Sequence, residues 1–142
     1  DSDYLKLNEF YIRNTSSSFF DFLNIDLFYN TQKIDLSNNK IKIDFFKTIP
    51  LHKIPSLSFL NLSCLNINFS TNILDKCRYI QIIDLSKNSI HINSVFMKES
   101  IRLEKVYLSN INLKDSDMKY FDFSLFPSLK TIDLRKNELT II

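Results

Sequence analysis

Residues 80–90 read IQIIDLSKNSI. Apolar residues stand at the first, fourth, sixth and eleventh places (Ile80, Ile83, Leu85, Ile90), and Asn88 stands at the ninth. Places four and six are two apart, so they put two side chains on one face of a short strand. The chain must then turn, at the asparagine, before place eleven faces inward again.

The pattern recurs. With Leu85 as place six, matching segments centre on Leu36 (KIDLSNNKI), Leu62 (FLNLSCLNI), Leu108 (KVYLSNINL) and Leu134 (TIDLRKNEL), with a weaker copy at Leu7 (YLKLNEFYI). From Leu7 onward the intervals are 29, 26, 23, 23 and 26 residues. Place four is Leu5, Ile34, Leu60, Ile83, Val106 and Ile132; place eleven is Ile12, Ile41, Ile67, Ile90, Leu113 and Leu139. One unit cannot bury its apolar face alone. Stacked units share a continuous core, so six units are expected to form one domain over residues 1–142.

This motif resembles that of the leucine-rich-repeat family, LxxLxLxxNxL at a period of 20–29 residues. The resemblance implies an α/β solenoid, with short parallel strands on a concave face and irregular, 3₁₀ or helical segments on the convex side. The return segments fit that reading. Two of them, FFKTIPLHKIPSL (45–57) and MKYFDFSLFPSL (118–129), end in Pro-Ser-Leu, and proline stops a helix and sets an extended entry. The spacing of Phe19, Phe22 and Leu23 predicts a helical turn in the first return. The 13 phenylalanines, mostly in these segments, are expected to fill the convex half of the core.

Glycine is absent, so the common phosphate-cradling loops, which need glycine for close backbone approach, are not expected. Tight turns fall to the 15 asparagines and to aspartate and serine, which tolerate left-handed or self-bonded backbone. Place nine is asparagine in alternate units only: Asn39, Asn88 and Asn137. The other three units carry Phe10, Leu65 and Ile111, with Asn66 and Asn110 one place off. An apolar side chain cannot satisfy turn amides, so looser, more mobile turns are expected at Leu65 and Ile111. The sequence stops straight after the last turn, with neither a return segment nor a cap, and is therefore read as a piece of a longer solenoid.

Candidate chemistry is sparse. His52 and His91 fall in different units with no nucleophile or carboxylate spaced to join them, so no catalytic or metal site is expected. Cys64 and Cys77 sit on opposite sides of one unit, too far apart for a disulfide, and lack zinc spacing. Free thiols incline the reading toward a reducing, intracellular setting. Sequons at Asn14, Asn61 and Asn68 are as many as chance supplies in an asparagine-rich chain. The net charge of +2 does not call for nucleic acid, and no apolar run approaches a membrane span.

The resemblance implies a non-enzymatic protein-interaction module or scaffold subunit, without cofactor or small-molecule substrate. It would bind another protein, within a larger assembly, on the concave face or an end unit. The alternatives are an extracellular recognition ectodomain in the style of Toll-like receptors, or a regulatory domain attached to a catalytic one. The concave candidates are Asp35, Phe59, Asn61, Asp84, Lys87, Tyr107, Asp133 and Arg135, with Tyr107 the expected anchor because aromatic side chains dominate interface hot spots.

Overall fold

Each repeat begins with a strand only three residues long, because only places three to five are extended before the turn. The strands are β1 (Glu9–Tyr11), β2 (Lys33–Asp35), β3 (Phe59–Asn61), β4 (Asn68–Ser70), β5 (Ile82–Asp84), β6 (Ser89–His91), β7 (Lys105–Tyr107) and β8 (Thr131–Asp133). The structure, a computed structural model, describes residues 7–13, 15, 24–42, 45–66, 68–70 and 74–140. Six strands form one parallel sheet in the order β1-β2-β3-β5-β7-β8, and β4 pairs with β6 in a second. The main sheet stays in register throughout, with Ile34 against Leu60, Ile83, Val106 and Ile132 in turn.

The α/β leucine-rich-repeat solenoid expected from the motif is corrected by these elements. Among the described residues they make a small α/β-like domain on a six-stranded parallel sheet, with one α-helix, the four residues Phe45–Thr48, and 3₁₀ turns on the return paths. Longer helices are cut off locally. Pro50 holds extended backbone before the turn Leu51–Lys53, and Ile54 closes that turn, also extended, before Pro55. The helical turn expected at Phe19, Phe22 and Leu23 lies outside the described residues. The turn after it, Ile25–Phe28, is capped by Asn24, whose side chain accepts the Asp26 N–H.

The first unit is also re-registered. β1 pairs Phe10 with Ile34, and the Ile12 N–H donates to Asp35 O, so Phe10 and Ile12 occupy places four and six instead of Leu5 and Leu7. Leu7 moves to place one and Thr15 to place nine. Phe10 is held by an edge-to-face contact with buried Phe28, centroids 5.2 Å apart, which a leucine cannot reproduce.

The core lies between the main sheet and the returns. Leu60, Leu62, Ile83, Leu85 and Leu108 are fully buried, and Phe28, Phe45, Phe46, Phe96, Phe121 and Phe126 fill the return side. Place eight of units two to six takes left-handed backbone throughout: Asn38 (φ 58), Cys64 (φ 54), Lys87 (φ 59), Asn110 (φ 54) and Lys136 (φ 59). Asparagine accepts that conformation readily, whereas lysine and cysteine carry a cost of roughly 1–2 kcal/mol each. At four of the five positions the conformation comes with a bond to the next unit. Asn38, Cys64, Lys87 and Asn110 each donate their N–H to the place-seven carbonyl of the following unit.

The alternating asparagines do not leave broken rungs. Asn88 Nδ2 donates to Leu85 O and Ser86 O in its own unit and to Leu62 O in the preceding one, and its Oδ1 accepts the Leu65 N–H. Asn137 does the same for Leu108 O and the Ile111 N–H, and also accepts the Leu113 N–H. Asn39 takes Ile12 O and the Thr15 N–H. One asparagine thus serves two units, and all six place-six carbonyls receive an amide. The looser turns expected at Leu65 and Ile111 are corrected on this ground: both amides are bonded, and both side chains are 1% exposed.

The asparagine amides therefore link units in twos, whereas the main sheet runs through all of them and the place-eight bonds join units two to six. Some further links fall within the same pairs. The β4–β6 sheet and the Ser100 hydroxyl bond to Cys77 O join units three and four. The Lys114–Glu138 bridge and the Thr140 bonds to the Asp115 carboxylate join units five and six.

Candidate functional site

Register places five of the expected residues in one row across the main sheet: Asp35, Asn61, Asp84, Tyr107 and Asp133, on strands about 4.8 Å apart. They alternate with core residues along each strand and so occupy the sheet face opposite the core. Tyr11 opens the same row beside Asp35 and is 53% exposed. Sequence reading missed it, because it put Lys6 there through the first-unit register. Phe59 lies in the adjoining row beside Ile82, both half-buried. Ile82 was missed too, although its place-three position was the available signal.

The row has a structural duty. Asp35, Asn61, Asp84 and Asp133 each accept, through Oδ1, the N–H two residues ahead, at 2.9–3.0 Å. Each thereby caps its own strand-to-turn transition. Tyr107 has no short side-chain oxygen for this, so, as at Tyr11 in unit one, an aromatic ring stands where units two, three, four and six carry a cap.

The three aspartates differ in what else they meet. Asp35 accepts from the Ser37 hydroxyl at 2.6 Å and from Arg13 Nη2 at 3.2 Å. It is 4% exposed, which corrects its place among the partner-facing residues: its carboxylate is enclosed and fully engaged. Asp133 is gripped by Arg135, Nε to Oδ1 at 2.9 Å and Nη2 to Oδ2 at 2.8 Å. The Arg135 side-chain bonds, followed by the Arg135 backbone N–H, hold the Asp133 carboxyl down at about 2. Asp84 has its cap bond to Ser86 and no ion pair among the described residues.

Asp84, Lys87, Tyr107, Asp133 and Arg135, with the half-buried Cys64, line a shallow depression of about 320 Å³. Lys87 and Arg135 thus join the row from the turns beyond it, while Phe59 stays outside the depression. The depression brings carboxylates, cations and an aromatic ring together without a nucleophile–base pair. Both histidines are exposed and lie elsewhere, His52 in the Leu51–Lys53 turn and His91 in β6. Both cysteines are free, and burial, then the charge of Asp75, pushes the Cys77 thiol up to about 12. Among the described residues no cluster of metal-ligating side chains forms, and no helix is long and apolar enough to cross a membrane.

No protein-family model matches the chain, and no curated protein matches it.

Proposed function

We propose that this chain is a non-enzymatic protein-interaction module, a scaffold subunit that receives a partner segment on the outer sheet face. The observation carrying this reading is the contrast among its aspartates. Asp35 and Asp133 each have an arginine of this chain, whereas Asp84, between them, has none among the described residues and stands beside Tyr107. A lysine or arginine side chain from a partner supplies the missing cation, with the Tyr107 ring beside it for cation–π contact. The neighbouring apolar pair Phe59 and Ile82 extends the contact area along the partner segment.

A peptide display selection on the intact chain tests this. Selected peptides are expected to carry Lys or Arg at a fixed position and to weaken in raised salt. They are expected to lose roughly 10- to 30-fold in affinity against Asp84→Asn and against Tyr107→Ala, the scale of a hot-spot contact. Peptides that lack a basic residue, or that bind Asp84→Asn unchanged, sink the proposal.

A further inference from the structure

A second depression, of about 310 Å³, lies away from the sheet row, between the Leu51–Lys53 turn and the segment Lys76–Ile80. Its exposed lining is His52, Lys53, Pro55, Lys76, Arg78 and Tyr79, and no carboxylate lines it. Its floor is apolar, formed by buried Ile54, Cys77 and Ile80. The whole chain carries a net charge of only +2, so three cations around one depression are a local concentration. Glu99 pairs with one of the three, Oε2 to Arg78 Nε at 3.6 Å, whereas Lys53 and Lys76 have no ion pair among the described residues. The rim is braced from the next unit, since Arg102 sits over the Tyr79 ring at 5.1 Å. That contact steadies the ring, and Arg102 itself does not line the depression.

We propose that this groove binds a phosphate-type oxyanion: Lys53, Lys76 and Arg78 meet the charge, and the apolar floor and Tyr79 meet any organic group that carries it. Arginine and lysine form short charge-assisted bonds to phosphate oxygens, and a planar guanidinium can grip two of them. The thiol of Cys77 is buried beneath the floor and stays protonated, so it adds no opposing charge at neutral pH. The site is independent of the sheet face and stands or falls separately.

The test is an amide chemical-shift titration of the whole chain with inorganic phosphate and with phenyl phosphate. Saturable shifts are expected at His52, Lys53, Lys76 and Arg78. Tighter binding of phenyl phosphate assigns the site to an ester carried on a partner group; equal binding assigns it to the free anion. Lys76→Gln with Arg78→Gln is expected to weaken binding by about tenfold or more, and Lys130→Gln, on exposed surface in another unit, to leave it unchanged. Lys53→Gln with Lys76→Gln keeps the Arg78–Glu99 pair intact and serves if the first variant is poorly folded. Shifts that do not saturate, or equal affinity in the charge-neutralised variants, overturn the proposal.

Discussion

The side-chain oxygen of Asn88 accepts the backbone N–H of Leu65, 23 residues earlier, at 3.0 Å. The same amide group donates to Leu62 O, Leu85 O and Ser86 O. A single buried side chain thereby satisfies the turns of two units. Replacing it with Ala leaves several buried backbone groups unmet, each at about 1–3 kcal/mol. Asn88→Ala is expected to cost at least about 3 kcal/mol in urea unfolding and to speed exchange of the Leu65 amide. A loss below about 1 kcal/mol would show that the amide is not what ties units three and four.

Leu65→Asn restores the motif asparagine but is expected to destabilise. Leu65 is 1% exposed, its N–H is already bonded, and an amide there exchanges core packing for an unmatched polar group. The expected loss is about 2–5 kcal/mol. A thermal melt showing equal or greater stability would mean that the alternation is accidental.

Left-handed backbone at Lys87 and Lys136, both with φ 59, sets a third expectation. Glycine relieves roughly 1–2 kcal/mol of steric cost and returns about half of it in unfolded-state entropy. Lys87→Gly and Lys136→Gly are expected to gain up to about 1 kcal/mol each, and Asn38→Gly close to nothing. Denaturant midpoints decide it, with a fall in both lysine variants as the contrary result.

The thiols separate by environment. Cys64 is half-buried at the sheet depression, whereas Cys77 is 4% exposed with its thiol held at about 12. Thiolate is the reactive form, so Cys64 is expected to alkylate much faster than Cys77 at pH 8 in the folded chain. Mass-spectrometric mapping of the labelled peptides reads the order directly, and equal rates would contradict the burial.

Acid sensitivity follows from Asp133. Its folded value, about 2, lies below the ordinary 3.8, so between these values the unfolded chain binds more protons than the folded one. The contribution is present above about pH 4 and is lost as pH falls through about 2. Arg135→Gln removes the main cause and is expected to flatten the stability loss in that window. The comparison is made by chemical denaturation from pH 5 to 2, and parallel curves would refute it.

The sequence by itself determined which residues face the core at places four and six of units two to six, because alternating apolar residues mark a strand face whatever the chain does elsewhere. It also placed Asp84 and Tyr107 at equivalent positions, which register turned into neighbours. What it left open depended on contacts between units. The first strand was displaced because Leu5 and Leu7 match the motif while the edge-to-face fit of Phe10 on Phe28 sets the register. Asp35 read as surface until Arg13 and Ser37 enclosed it. Helix on the return side is held to one short α-turn and 3₁₀ turns among the described residues, leaving a small α/β-like domain built on the six-stranded parallel sheet. The alternate asparagines read as gaps because one chain segment shows only its own donors and acceptors. Only the tertiary structure shows that the amide which satisfies Leu65 arrives from the following unit.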